Sequence, residues 1–333
     1  MVFYVYFDPA VIAVAANGGP LGLACLLGII RGFETNCFLA EFNDWHVQDE
    51  LKDHVKALDD RLQTLSGQEG AEVADGVKRL KSLLYTLAKR NRFICCLTSN
   101  GEPPSERVAA VLAQGRNAEL DLVFVANKPD DSANPARFPI ATLQDYSASD
   151  FEARRSRMAA NGMLFAPEQM SEVDFLNKTL RKVLKHCSTI QVYDEVMGNR
   201  WGDNFEYTIK TFLFWLEGFV AEPGKIQLHL YCGKPPGFLD NHMKGQLKSF
   251  RRGRLSNLPI TIHFHDTLAG TDNLPHDRFL ATDQIAIEIG RGMDFLNRRT
   301  RKNRDSSFSL KDLTELGGFL KSAATSQIAP IPC

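Results

Sequence analysis

Alternating strand-like and helix-like segments run through the first 131 residues of the chain. Apolar and aromatic residues over 2–7, 92–97 and 120–126 predict three strands, because β-branched and aromatic side chains favour a pleated, buried surface. Segments over 47–66 and 72–90 predict helices with one strongly polar side. This alternation predicts an α/β fold with a small parallel sheet in an N-terminal domain over 1–131.

A second α/β domain is predicted over 165–333. The residues before it, 132–164, begin with a stretch rich in Ser, Asn and Pro and continue into a charged helix, which predicts a linker and a connecting helix. The strand and helix patterns of the second domain predict a mixed sheet with the last strand at its centre. Its predicted elements are helices over 171–186 and 205–220 and strands over 189–193, 226–231, 260–265 and 276–289.

The positively charged residues form local clusters along the chain. The formal net charge is −1, which excludes a uniformly basic nucleic-acid coat, so anion binding depends on where the cations gather. Two basic runs, 242–254 and 297–304, carry five cations each and flank the segment 276–289. The first run is either a solvated helix face or a phosphate-facing surface, and the presence of both runs favours an anionic ligand. The cations that we expect to contact a ligand are Lys244, Lys248, Arg251, Arg252, Arg254, Arg298, Arg299 and Arg301.

The cysteines and the N-terminus indicate a cytoplasmic protein. Seven cysteines without paired CxxC spacing argue against a zinc site and against a secreted disulfide framework, so we expect reduced thiols. The N-terminus has no basic region before an apolar run, and the apolar residues near 20–30 are interrupted by glycines. We therefore expect neither a signal peptide nor a transmembrane segment.

Acidic residues follow the predicted strands of the first domain. Asp8 ends the first strand, Glu41 or Asp44 follows the next apolar run, and Asp130 follows the strand over 120–126. In this respect the domain loosely resembles a PIN-type nuclease, which implies carboxylates gathered around a divalent metal ion that activates water. Acids at strand ends are also common caps and turn residues, so the alternative is a scaffold without metal.

The segment with the most specific chemistry is His276-Asp277-Arg278, followed by Asp283 and by the turn Gly290-Arg291-Gly292. Successive side chains of a strand point to opposite faces, so residues 276 and 278 are predicted to share a face. An imidazole and a guanidinium on the same face can contact one phosphate group. The spacing therefore predicts a phosphoryl-transfer or phosphate-binding site.

At these residues the sequence resembles the phospholipase D superfamily, whose motif is His-x-Lys, four residues, Asp and then a Gly-rich turn. Arg278 stands where that motif has lysine. The segment is more similar to the phospholipase D-like domain at the C-terminus of MIT-domain proteins, which is regarded as a binding rather than a hydrolytic version. The resemblance covers about the last half of the chain, and implies a phospholipase D-like mixed α/β domain.

The resemblance implies a mechanism that requires no metal or other cofactor. His276 would attack phosphorus to give a phosphohistidine, and Arg278 would hold the nonbridging oxygens. Asp283 would orient an imidazole or hold the adjacent turn, while Arg291 and Asn297 would add ligand contacts. The superfamily uses two such histidines and this sequence carries one copy of the motif, so catalysis implies a homodimer.

Three hypotheses follow for the second domain. It is a metal-independent phosphodiesterase, most simply a nuclease that acts on DNA or RNA, or a catalytically inactive module that recognises nucleic acid, an anionic lipid headgroup or a protein partner. In the third, His276 is a structural histidine hydrogen-bonded to Asp277 or Asp283, with Arg278 in an ion pair. By analogy alone, a PIN-like domain joined to a phospholipase D-like domain suits prokaryotic defence or nucleic-acid surveillance.

Overall fold

The chain folds into two compact units, Val2–Ala160 and Asn161–Cys333, and each has its own sheet. A computed structural model describes residues 2–43, 47–62, 67–99, 107–134, 137–161, 163–165, 176–199, 201–233, 240–265, 278–290, 306–311, 313, 316 and 331–332. The α/β fold predicted from the sequence is confirmed: the first sheet is parallel and the second is mixed.

Five described strands form the parallel sheet of the first unit, in the order β3-β2-β1-β4-β5. They are β1 Phe3–Phe7, β2 Cys37–Phe42, β3 Phe93–Leu97, β4 Leu122–Phe124 and β5 Ile140–Ala141. The helices are α1 Ala10–Asn17, α2 Gly19–Asn36, α3 Val47–Leu62, α4 Gly67–Lys89, α5 Arg107–Gln114 and α6 Asp150–Asn161.

Strands β2 and β5 are the elements of the first sheet that the hydrophobic pattern did not predict, and β2 is the longer of the two. Helix α2 ends at Asn36 and β2 begins at Cys37, so no Gly, Pro or polar turn separates the two. The junction reads Glu34-Thr35-Asn36-Cys37, without the Gly or Pro that commonly marks a helix end, so the pattern gave no separate start for the strand. All six residues of β2 are buried, as expected for a strand with neighbours on both sides.

Residues 140–160 belong to the first unit rather than to a separate linker. Strand β5 pairs with β4, and Tyr146 packs edge-to-face on Phe33 and Phe124, with ring centroids 5.6 Å and 5.5 Å away. Phe151 of α6 packs on Phe3 of β1 at 5.4 Å. The division of the chain thus lies at residue 160, whereas the sequence predicted a first domain that ends at 131 and a linker over 132–164.

The guanidinium of Arg155 fastens α6 to α2. It donates to Glu152 Oε2 at 2.7 Å, to the Gly32 carbonyl oxygen at 2.9 Å and to Asn36 Oδ1 at 3.3 Å. Only 9 % of the Arg155 side chain is exposed. A buried cation is tolerated where it is paired and hydrogen-bonded, as it is here. The charged pattern that suggested a connecting helix therefore includes a buried contact.

The sheet of the second unit contains eight described strands in the order β13-β9-β8-β7-β10-β11-β12-β6. Strands β7, β8 and β9 are parallel, and the others pair antiparallel. The strands are β6 Met163–Phe165, β7 Thr189–Tyr193, β8 Gln227–Gly233, β9 Ile260–His265, β10 Phe279–Thr282, β11 Ala286–Ile289, β12 Ser306–Lys311 and β13 Ile331–Pro332.

The helices of this unit include two long ones. They are α7 Arg181–Leu184, α8 Glu195–Asn199, α9 Glu206–Phe219 and α10 Asp240–Phe250. The π-helical turns Leu176–Leu180 and Trp201–Phe205 precede α7 and α9. No helix in the described ranges is long and apolar enough to cross a membrane.

The segment predicted as one strand over 276–289 contains a hairpin in the middle of the sheet. Strands β10 and β11 are joined by residues 283–285, where Thr282 Oγ1 accepts hydrogen bonds from the amides of Gln284 and Ile285. A threonine side chain that binds the backbone two and three residues ahead favours a turn over continued extension. Because apolar runs lie on both sides of this short polar segment, the hydrophobic pattern did not predict the turn.

The two faces of the central strands differ in chemistry. One face is apolar, since the register places Ile190, Leu228 and Ile260 side by side, and all three are buried. The alternation of a strand turns the neighbouring residues to the opposite face. That face carries aromatic and polar side chains, namely Gln191, Tyr193, His229, Tyr231, His263 and Phe279.

Candidate functional site

The carboxyl ends of β7, β8 and β9 lie at the same edge of the sheet as the amino end of β10. Asp194 follows β7, and Arg278 precedes β10, next to the paired residues Tyr193 and Phe279. Strands β8 and β9 lie on one side of β7 and β10 lies on the other. In open α/β sheets, ligands bind at the carboxyl ends of strands where the strand order changes side. Asp194 and Arg278 occupy such a position.

Asp194 is a buried carboxylate with two defined contacts. Its side chain has 0 % exposure, and Oδ1 lies 3.4 Å from Arg278 Nε. The same oxygen accepts a hydrogen bond from the Val196 amide at 3.1 Å, and the Asp194 carbonyl accepts from the Met197 amide. Asp194 therefore caps the amino end of α8, as an aspartate before a helix commonly does. It also fixes the direction of the Arg278 side chain.

Arg278 is held on one side and accessible on the other. Its Nη1 lies 3.5 Å from the carbonyl oxygen of Gly290, and 27 % of its side chain is exposed. A guanidinium has five N–H donors in a rigid plane, so a contact with Asp194 leaves donors for a second anion. Phosphate oxygens match this planar fork well. The geometry supports anion binding by Arg278 at the sheet edge.

Asp283 lies at the opposite end of β10. Its carboxylate accepts hydrogen bonds from the Ser188 amide at 2.9 Å, from Ser188 Oγ at 2.9 Å and from the Thr189 amide at 3.2 Å. These residues lie at the start of β7, whereas Arg278 lies beside its end. The four residues of β10 separate Arg278 from Asp283, and five steps along an extended strand span roughly 16 Å. The structure does not bring the two together, and Asp283 holds the adjacent turn.

Several residues named from the sequence lie outside the described residues. They are Asp44, His276, Arg291, Asn297, Arg298, Arg299 and Arg301. The described ends of two of these segments can still be placed: Arg278 directly precedes β10 and Gly290 directly follows β11, at the same edge of the sheet. The role of His276 therefore stays a prediction from the sequence.

Two of the five cations in the first basic run support the fold. Arg254 Nη2 donates to the carbonyl oxygens of Val220 and Ala221, each at 3.1 Å, at the C-terminal end of α9. Arg251 Nη1 donates to the Leu258 carbonyl oxygen at 2.9 Å. Cations near helix C-termini stabilise the last carbonyl groups. The spacing of charges along the chain could not separate such anchors from cations that face solvent.

The other three cations of that run have different surroundings. Lys248 and Arg252 are exposed and Lys244 is half-buried. The guanidinium of Arg252 lies over the ring of Phe214, with Cζ 5.1 Å from the ring centroid. These side chains remain available to a charged ligand. The hypothesis of a phosphate-facing surface therefore applies to these residues rather than to the whole run.

Two of the candidate acids of the first unit, Asp8 and Glu41, cap backbone groups at the carboxyl edge of its sheet. Asp8 Oδ1 accepts from the Ala10 amide at 3.0 Å and Oδ2 from the Ala126 amide at 3.4 Å. Glu41 is buried and accepts from the Gln48 amide at 2.8 Å, while Asp130 is exposed. Among the described side chains, no group of three His, Cys, Asp or Glu residues fits a metal ion. Asp8 and Glu41 thus bind backbone amides, as acids at strand ends commonly do, and the metal-site hypothesis stays a prediction because Asp44 lies outside the described residues.

An ion pair near the same edge was not found from the sequence. Arg107, at the start of α5, contacts Glu50 of α3. Burial raises the pKa of the Tyr6 hydroxyl, and the Asp8 carboxylate raises it further. Neither Glu50 nor Arg107 belongs to a motif, and the only signal for their proximity is that each lies in the first turn of a helix that follows a parallel strand.

The face of the second sheet that carries these aromatic and polar side chains holds a stacked row of largely buried rings, which the sequence also did not reveal. The Tyr193 and Tyr231 rings stack with centroids 4.4 Å apart, and Tyr231 stacks on His263 at 4.2 Å. His229 Nδ1 lies 3.1 Å from His263 Nε2. A hydrogen bond between two imidazoles needs one donor and one acceptor, so this contact requires an unprotonated nitrogen.

This contact predicts a loss of stability in mild acid. Burial lowers the pKa of His229 from its ordinary value of 6.5, so below about pH 6.5 the unfolded chain binds more protons than the folded one. Stability is therefore fully present above pH 6.5 and decreases as the pH falls through the folded pKa. Urea unfolding from about pH 8 to about pH 5 should show this decrease in wild type and a smaller one in His229→Gln. Equal slopes in the two proteins would contradict it.

Comparisons of this chain with protein-family models, with curated proteins and with solved structures found no match. The PIN-like and phospholipase D-like resemblances therefore remain predictions from motifs. Asp194 is the site residue that motif reasoning did not assign, although an acid directly after a predicted strand was visible in the sequence. Its importance depends on strand pairing, because only the β7–β10 pairing sets it beside Arg278.

Proposed function

We propose that the second unit is a phosphate-recognition module for nucleic acid that lacks phosphodiesterase activity. The observation that carries this proposal is the Asp194–Arg278 contact at the edge where the strand order changes side. A guanidinium oriented by a buried carboxylate is preorganised, so little side-chain entropy is lost when it binds a phosphate. The proposal assigns ligand binding to Arg278.

The position of Asp283 favours recognition over hydrolysis. The phosphohistidine mechanism needs groups that orient an imidazole and a phosphate together, within hydrogen-bond reach. Asp283 is bonded to Ser188 and Thr189 at the far end of β10 and does not orient a group beside Arg278. The lysine-to-arginine replacement in the motif points the same way. A module of this kind requires neither a metal ion nor a homodimer.

Nucleic acid is the favoured ligand because further cations are exposed. Asp194 offsets the charge of Arg278, so strong attraction to a polyanion must come from additional side chains. Lys248 and Arg252 are exposed in the same unit. A repeating phosphate backbone can contact several separate cations at once, which a single small anion cannot.

The experiment measures binding and cleavage of labelled single-stranded and duplex DNA and RNA in EDTA. We expect binding without cleavage, with affinity that falls steeply as salt concentration rises. Arg278→Gln should weaken binding about tenfold and reduce the salt slope by about one. Arg278→Lys should recover only part of the loss, because lysine lacks the planar fork. Arg31→Gln, an equal charge change at an exposed position of the first unit, serves as the control.

Other outcomes identify the alternatives. Cleavage in EDTA that is lost in His276→Ala would assign the phosphohistidine mechanism, and a dimer by light scattering would then be expected. Binding to vesicles that contain phosphoinositide, without binding to nucleic acid, would assign the site to a lipid headgroup. Binding that does not respond to salt would contradict phosphate contacts altogether.

A further inference from the structure

Helices α9 and α10 and the residues just after α10 carry a surface that combines the exposed ring of Phe214, the half-buried ring of Phe250 and three exposed cations. We call it the basic-aromatic surface, and its members are Lys210, Phe214, Lys248, Phe250 and Arg252. The Arg252 guanidinium lies 5.1 Å from the Phe214 ring centroid, and Lys210 Nζ lies 5.6 Å from the Phe250 ring centroid. The surface thus contains two cation–aromatic pairs.

Phe214 is the unusual member, because 56 % of it is exposed. Helix α9 buries Ile209, Phe212, Leu213 and Leu216, so its core-facing side is complete without Phe214. Lys210 lies one helical turn before Phe214 and is also exposed, which places an ammonium group on the same face as the ring. A single exposed apolar residue needs no explanation by itself, but a ring set among cations has a specific chemistry.

We infer that the basic-aromatic surface binds single-stranded nucleic acid, with bases stacked on Phe214 and on the Arg252 guanidinium. This inference rests on the function proposed above and specifies its ligand. Single-strand-binding proteins combine cations that contact the backbone with aromatic side chains on which successive bases stack. Arginine planes also stack on bases. Lys210 and Lys248 supply the backbone contacts here.

A duplex does not fit this arrangement as well. The faces of paired bases are covered by their neighbours in the helix, so a ring on a convex helix surface reaches only unpaired bases. Two acids lie beside the surface: Glu217 Oε1 accepts from the Arg254 amide at 3.1 Å, and Glu206 lies one turn before Lys210, at a spacing that favours an ion pair. The preference for single strands therefore depends on stacking, while the cations serve both ligands.

The test measures affinity of the full chain for fluorescein-labelled oligo(dT), oligo(U) and a hairpin duplex. Phe214→Ala should weaken single-strand binding about tenfold or more and change duplex binding less than about twofold. Phe214→Tyr, which keeps a ring, should restore single-strand binding. Tyr85→Ala is the matched control, because Tyr85 is a 70 % exposed ring in the first unit. Phe214 is exposed, so the unfolding midpoint of Phe214→Ala should stay at the wild-type value.

The outcomes separate this inference from the proposed function. Wild-type binding with no effect of Phe214→Ala would overturn the stacking role and leave phosphate recognition by Arg278 in place. An equal loss for single strands and duplex would overturn the single-strand preference. Absence of binding to all three probes by the wild-type protein would overturn both proposals.

Discussion

A fragment that ends at residue 131 will show no cooperative unfolding, whereas a fragment that ends at residue 161 will unfold in one transition. The shorter fragment lacks β5, Tyr146, Phe151 and Arg155, which all pack within the first unit. Burial of one large aromatic side chain contributes about 2–3 kcal/mol, and a whole domain is stable by only about 5–15 kcal/mol. Removal of these groups together therefore exceeds the stability that the remaining sheet can supply.

Urea unfolding followed by circular dichroism shows whether each of the two fragments unfolds cooperatively. The matched test in the full chain is Phe151→Ala, which should cost about 3–5 kcal/mol because it empties the space beside Phe3. Arg157→Ala, on the same helix at an exposed position, should change stability by less than about 0.5 kcal/mol. A cooperative unfolding transition in the fragment that ends at 131 would contradict this prediction and would support the linker predicted over 132–164.

Gly198→Ala will destabilise the second unit by about 3 kcal/mol or more, because no side chain fits at this position. A Cβ on Gly198 would lie 1.9 Å from the carbonyl oxygen of Gly233 at the end of β8. Both partners are backbone, so the contact can be relieved only if α8 moves away from the strand. Asp194 caps α8, and the movement should also disturb its contact with Arg278. Nucleic-acid binding should therefore weaken together with stability.

Gly218→Ala provides the control for this substitution. A Cβ on Gly218 of α9 would meet no atom within 4 Å. Alanine is preferred to glycine in a helix by up to about 1 kcal/mol, so this variant should be as stable as wild type or slightly more stable. If both variants unfold at the wild-type urea concentration, the close approach of α8 to β8 is not required for the fold.

The hydrophobic pattern by itself determined most of the elements. The predicted strands over 189–193 and 260–265 coincide with β7 and β9, because short apolar runs bounded by polar residues and turns have few other ways to be buried. The same reasoning missed β2, which follows α2 without a break, and the hairpin within 276–289. Local patterns detect burial well and detect a change of direction only where turn residues mark it.

The candidate site shows a second limit of prediction from the sequence. The motif named Arg278 and Asp283 together, with Asp283 expected either to orient an imidazole or to hold the adjacent turn. Tertiary structure added what the motif does not contain: strand pairing sets Asp194 against Arg278, and the extended β10 places Asp283 at the opposite end of the strand. An extended strand separates residues that are near in sequence, while pairing joins residues that are distant. Which side chains share a site is therefore a property of the sheet register, and no local pattern contains it.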